Sequence, residues 1–254
     1  MTPAGAMERG RALLFNILFY LWTAVYSVLM VPLLAAPRAV VARIARFWNR
    51  SVVWLLAAVV GLRYEIRGRQ NMPDRPAIFA VKHQSAWETI ALIVLLGDPV
   101  YVLKRQLFAI PGFGWYLARL GNIGIDRRGA AGALKALVRE ADRALQQGRP
   151  VVIFPEGTRV PVGSRRPYNP GVAALYAMLS APVVPVALNS GLFWGRRNFM
   201  KRAGTITIEF LPAIPPGLPR AEFMAELEAR IEEASERLVA EAEGAAGAPL
   251  RPAN

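Results

Sequence analysis

His83 is the only histidine in the chain, and Glu88 follows it by five residues in the run Lys82-His83-Gln84-Ser85-Ala86-Trp87-Glu88-Thr89. An imidazole held by a carboxylate is a general base. The acid fixes the tautomer and steadies the imidazolium while the other ring nitrogen takes a proton. Five helical steps leave two residues about 140° apart, so the pair cannot share one face of a regular helix. His83 must therefore stand in the turn before a helix, with Glu88 folding back from its first turn. Ser85-x-x-Glu88 also has the form of a capping box, which would make Glu88 a helix-end cap and His83 merely structural.

Anion ligands are supplied by other strand ends. Phe154-Pro155-Glu156-Gly157-Thr158-Arg159 follows the apolar run Val151–Phe154. Pro155 ends strand pairing and Gly157 permits a tight turn whose N–H groups can face an anion. Arg159 adds a planar fork suited to phosphate. An ordinary turn with a surface salt bridge has the same look. Gly121-Asn122-Ile123-Gly124-Ile125-Asp126-Arg127-Arg128 ends in a carboxylate and two guanidiniums, or in plain solvated charges. Lys104 and Arg105 are further candidates. Val184-Pro185-Val186-Ala187-Leu188-Asn189-Ser190-Gly191 reads as an apolar strand broken by a proline, or as a plain buried strand.

The composition narrows the chemistry. Without cysteine, disulfides, thiolate zinc sites, Fe–S clusters and cysteine nucleophiles are excluded, and one histidine excludes multi-histidine metal sites. No Walker loop, GxGxxG fingerprint or GxSxG elbow occurs. The 254 residues are 54% hydrophobic with net charge +13. Residues 220–243 alone carry −5, which leaves +18 elsewhere. Such a field suits anionic lipid, phosphorylated substrates or acidic carrier proteins. Nothing in the sequence has the form of a nucleic-acid-binding motif.

The elements that must position these residues come in two textures. Residues 12–36 run for 25 positions without a formal charge, about 37 Å as a helix against a hydrocarbon core of about 30 Å. Pro32 and Pro37 end the run. Arg43, Arg46 and Arg50 then recur on one helical face, a cationic stripe for anionic headgroups, continuing into the apolar run 52–62. The expectation is a membrane-seated helical hairpin over 1–62; a spanning helix followed by a core helix is the alternative. From Tyr64, short β runs alternate with helices. Strands are predicted at 64–67, 77–81, 100–103, 122–125, 151–154, 183–188 and 205–211, and helices at 88–96, 114–120, 130–147, 171–179 and 220–243. This is an α/β pattern, a largely parallel central sheet with helices on both faces. Residues 244–254 read as a mobile tail.

The order His-x4-acid (83–88), G-x-I-x-I-D-R (121–127), F-P-E-G-T-R (154–159) and V-P-V (184–186) resembles the glycerolipid acyltransferase family, in particular its 1-acylglycerol-3-phosphate acyltransferases. The resemblance covers residues 64–215, and residues 63–243 would form the acyltransferase domain behind a bacterial-type anchor. It implies His83 as general base on the free hydroxyl of a lysophospholipid, with Glu88 beside it. An acyl-carrier protein or coenzyme A thioester would be the donor, and no metal or bound cofactor is implied. Arg159, with Glu156, Gly157, Thr158 and Arg127 and with Lys104 nearby, would hold the acceptor phosphate, and Pro185 would shape the site. The implied location is a bacterial inner membrane, with the active site facing the cytoplasm. The family usually has Asp at the position of Glu88. Acylation of another lyso-lipid, such as a lyso-ornithine lipid, and non-catalytic lipid binding are the competing readings.

Overall fold

Two prolines decide how the chain begins to fold. In the computed structural model, which describes residues 3–126 and 130–246, helix α1 (Pro3–Met30) stops before Pro32. A tight turn over Pro32–Ala35 follows, and the extended Pro37 opens α2 (Arg38–Leu55). Proline ends α1 because its ring clashes with the preceding turn and offers no N–H, and it suits a helix start for the same reason. The last turns of this second arm widen over Leu56–Val60 and close on Gly61, whose φ of 78° is the left-handed geometry of a helix terminus. The two helices lie against each other as a hairpin. Its arms interlock through Trp22 Nε1 donating to Ser51 Oγ (2.7 Å) and through Phe19 and Tyr26 against Trp48.

The arms differ in their surroundings. From Gly5 to Met30, α1 is long and apolar enough to cross a membrane, and only a small share of it is buried. Ile17, Leu21 and Val28 lie on its exposed side. Its other side is fastened: Phe15 is fully buried, and Asn16 Oδ1 accepts from Lys201 Nζ at 2.8 Å. Lys201 lies against the rings of Phe15 and Trp194, and burial pulls its ammonium down to about 8. The run 52–62 goes inward instead of into lipid. Val52, Leu56 and Val60 are buried in one cluster with the sheet, because here the apolar side of α2 meets other protein.

The cationic stripe divides as well. Arg43 and Arg50 are exposed, whereas Arg46 donates through Nε to the Gly97 carbonyl at 2.9 Å. Headgroup attraction near a surface is about 1 kcal/mol per arginine. Arg43→Gln with Arg50→Gln should therefore weaken partition of the whole protein onto anionic vesicles by about 30-fold, and added salt should mimic it. Arg46→Gln should instead lower thermal stability with little change in partition.

From residue 62 onward the chain builds one seven-stranded sheet. Its strands are β1 (Leu62–Arg67), β2 (Ile78–Val81), β3 (Val100–Lys104), β4 (Ile123–Ile125), β5 (Val151–Ile153), β6 (Val183–Leu188) and β7 (Gly204–Phe210). The order is β1-β7-β6-β2-β5-β3-β4, and every pairing is parallel except β6 with β7. The helices are α3 (Trp87–Leu96), α4 (Phe113–Arg119), α5 (Ala130–Gln146), α6 (Gly171–Met178) and α7 (Arg220–Ala246). Helix α7 continues three residues past the expected boundary at 243. The rest of the expected tail, with Arg127, lies outside the described residues.

Side-chain alternation along β2 assigns the two faces. Phe79 and Val81 join the cluster that holds Phe15, Val52, Trp87 and Ile90, on the side of the hairpin and α3. Ile78 and Ala80 join Leu137, Val172, Leu175 and Phe223, on the side of α5, α6 and α7. Apolar cover on both faces is what a largely parallel sheet requires.

Candidate active site

His83 stands just past the carboxyl end of β2, at the middle of the sheet. The Phe154–Arg159 segment follows β5 beside it, and Ser190 follows β6 on the other side. Ligand sites of open α/β sheets form at such strand ends. The imidazole Nδ1 lies 2.9 Å from Glu88 Oε1, so the chain folds back as the five-residue spacing requires. The ring stacks on Phe154 with centroids 4.0 Å apart. With Nδ1 on the carboxylate, Nε2 is the nitrogen left for a substrate.

Glu88 is fully buried and its carboxylate takes four partners. Oε1 accepts from the backbone N–H of Gln84 (2.8 Å) and Ser85 (2.6 Å) as well as facing His83, and Ser190 Oγ donates to Oε2 at 2.8 Å. Ser85 Oγ in turn accepts from the Trp87 N–H at 3.1 Å. Glu88 therefore makes the contacts that each of its two readings needs. One carboxylate oxygen thus meets both the Ser85 N–H at the helix start and the His83 ring.

A cavity of about 520 Å3 opens beside His83, within the about 300–1,000 Å3 usual for ligand sites. Its wall is mostly apolar. Tyr26 and Met30 of α1, Ile44 and Trp48 of α2 and Ile90 and Ile93 of α3 contribute, and Tyr116 and Leu117 of α4 close it. Arg159, half-buried, lines the same cavity. Among the described residues no carboxylate pairs with its guanidinium, and its carbonyl accepts from Arg196 Nη1 at 3.3 Å. The cavity thus brings together a carboxylate-held imidazole, a guanidinium and an apolar slot.

The other expected site residues are placed differently. Glu156 does not line the cavity: its fully buried carboxylate is turned inward, onto Lys82 Nζ (2.6 Å) and the His83 N–H (2.8 Å). A carboxylate so placed is no phosphate ligand. Gly157, at φ 65°, makes the expected turn, its N–H donating to the Phe154 carbonyl at 2.8 Å. Neither Gly157 nor Thr158 lines the cavity. Lys104 is exposed at the end of β3, also away from it. Pro185 is buried inside β6, opposite Ala80 of β2. Its carbonyl accepts from Leu211, and its missing N–H falls where the neighbouring chain leaves the ladder after Phe210. It shapes the strand, not the cavity wall.

Sequence reasoning gave no role to Ser190 or to Gln84, whose Oε1 accepts from the Gly191 N–H at 3.0 Å. The available signal was position: Ser190 follows β6 just as His83 follows β2. Among the described residues no cluster of His, Cys, Asp or Glu is arranged to hold a metal ion.

A carboxylate-held imidazole and a guanidinium on one apolar wall are what a protein acting on an anionic lipid would need. Comparisons with known proteins give the class, a group-transfer enzyme of lipid metabolism. A family model described as acyltransferase matches residues 63–189. A 1-acyl-sn-glycerol-3-phosphate acyltransferase of Pseudomonas aeruginosa is 42% identical over 185 residues, covering 73% of this chain and 72% of the relative. The human 1-acyl-sn-glycerol-3-phosphate acyltransferase beta is 29% identical over 182 residues, covering 68% and 66%. The crystal structure of an LPA acyltransferase from Thermotoga maritima shares the fold, with TM-score 0.73 at 22% identity over 91% of this chain and 97% of that one. The chain belongs to the acyltransferase family.

Proposed function

We propose that the protein is a 1-acyl-sn-glycerol-3-phosphate O-acyltransferase. It moves an acyl chain from a thioester to the free hydroxyl of lysophosphatidic acid and releases phosphatidic acid and the free thiol. The observation that carries the reading is the placement of His83 and Arg159 on the wall of one apolar cavity. His83 Nε2 takes the hydroxyl proton as the oxygen attacks the thioester carbonyl, and the Glu88 carboxylate on Nδ1 stabilises the imidazolium. Collapse of the tetrahedral intermediate breaks the C–S bond, and the imidazolium returns the proton to the leaving sulfur. Arg159 holds the acceptor's phosphate, and the slot takes hydrocarbon.

The donor is an acyl-carrier protein or acyl-coenzyme A. The exposed apolar side of α1, with Arg43 and Arg50, seats the protein on an anionic bilayer, the inner membrane of a bacterium, with the site facing the cytoplasm. Residues 1–62 carry the anchor, with the apolar side of 52–62 turned onto the sheet, and 63–243 form the acyltransferase domain. Purified protein assayed with one donor against lysophosphatidic acid and against lyso-ornithine lipid tests the substrate class. Turnover of the first at least about tenfold faster is expected. Preference for the second would replace phosphatidate formation by acylation of a phosphate-free lipid, and turnover of neither would leave a lipid-binding protein.

A further inference from the structure

Behind the active site lies a buried polar cluster that the chemistry above does not use. Strand alternation sends His83 toward the cavity and its neighbour Lys82 to the opposite face, under α7. There Lys82 Nζ meets Glu156 Oε1 at 2.6 Å and both oxygens of Glu232, on α7, at 2.7 and 2.9 Å. Tyr168 donates its hydroxyl to Glu232 Oε1 at 2.9 Å. The three charged side chains are at most 5% exposed.

A buried ion pair alone is weak evidence of purpose, since apolar residues often replace one without loss. The second oxygen of Glu156 makes the difference: Oε2 accepts the backbone N–H of His83 at 2.8 Å. Extending the β2–β5 register would aim that N–H at the Pro155 carbonyl. That carbonyl is already taken by the backbone and side-chain N–H groups of Asn169, at 2.8 and 2.7 Å. The Glu156 carboxylate thus stands in for the missing ladder acceptor, one bond from the residue that carries the base. Burial pushes this carboxyl up to about 7 in spite of the pull of Lys82, so it is held there against a desolvation penalty.

We propose that Glu156 is a positioning residue for His83, and that Glu232 on the carboxy-terminal helix completes the seat through Lys82. The inference rests on His83 being the base. Helix α7 then takes part in catalysis without reaching the cavity. The seat fixes the His83 backbone, so the ring keeps both its Glu88 partner and its stack on Phe154. A displacement of about 1 Å at a reacting group is enough for about 100-fold in rate.

The test uses the full-length protein in lipid micelles, comparing Glu156→Gln and Glu232→Gln with Glu236→Gln, a surface control on the same helix that pairs with Arg165. Glu156→Gln should lower kcat by about 10- to 100-fold and Glu232→Gln by about 3- to 10-fold. Neither should change the KM for lysophosphatidic acid by more than about twofold, and the control should match the unaltered protein. Because His83 is the only histidine, its ring signals in a tag-free sample are unambiguous. The Nδ1–H resonance should broaden through faster solvent exchange in both seat variants. A raised acceptor KM with normal kcat in Glu156→Gln would overturn the proposal in favour of a substrate-binding carboxylate. A lower melting temperature with unchanged kcat and unchanged ring signals would overturn it in favour of a structural ion pair. If Glu156→Gln does not fold, Glu232→Gln decides alone. An active His83→Ala protein would instead remove the mechanism on which the proposal stands.

Discussion

His83→Ala should lose acyl transfer by at least the about 10²–10⁴-fold that a positioned general base supplies, in a protein that still folds and still binds vesicles. The side chain is only 13% exposed, but it lies on a cavity wall. Its removal empties space beside Phe154 without orphaning a backbone group. No second histidine exists to substitute. Glu88→Gln should follow it part of the way. A glutamine oxygen still accepts from the Gln84 and Ser85 N–H groups, so the helix start survives, but the charge that steadies the imidazolium is gone. Glu88→Asp should retain measurable activity with a reduced kcat, since one methylene less must span from α3 to His83 on one side and Ser190 on the other. Initial rates on lysophosphatidic acid, with melting temperatures alongside, check all three. More than a few per cent of activity in His83→Ala would end the base mechanism. A fully active Gln variant beside an inactive Asp variant would reduce Glu88 to a cap.

Arg159→Ala should raise the KM for lysophosphatidic acid by about 10- to 100-fold. A charge-assisted contact with the phosphate is worth roughly 1.5–3 kcal/mol, and 1.4 kcal/mol is a factor of ten. Arg159→Lys should recover part of the loss, because an ammonium keeps the charge but not the fork. The donor KM should move much less, and kcat should fall somewhat, since the phosphate contact also aligns the hydroxyl with His83. Paired saturation curves for the two substrates read this directly. A defect confined to the donor would take Arg159 out of the acceptor site.

How much of this was legible in the sequence depends on how far apart the partners lie along the chain. The fold-back of Glu88 onto His83 is local: a strand, a polar turn and a helix start confine five residues to one geometry. Ser190 reaches Glu88 across 102 positions, and Lys82 reaches Glu232 across 150. Only the strand order brings those residues together, and periodicity does not encode strand order. Glu156 was misplaced for a different reason. A carboxylate after a strand can turn outward to a ligand or inward to a lysine, and the motif is the same in both cases. For Arg46 the helical repeat gave the face correctly but not the Gly97 carbonyl opposite it. The slot was hidden because the hairpin, read as an anchor, also supplies a wall of the cavity.

Phe15 and Asn16 fasten the first helix to the body, the one inside the cluster that covers the sheet and the other on Lys201. A helix so fastened should carry the body with it. Any lipid surface that takes hold of the helix sets the pitch of the whole body, and with it the height at which the cavity stands above the headgroups. A thicker or thinner bilayer should then reach the active site as a change of tilt.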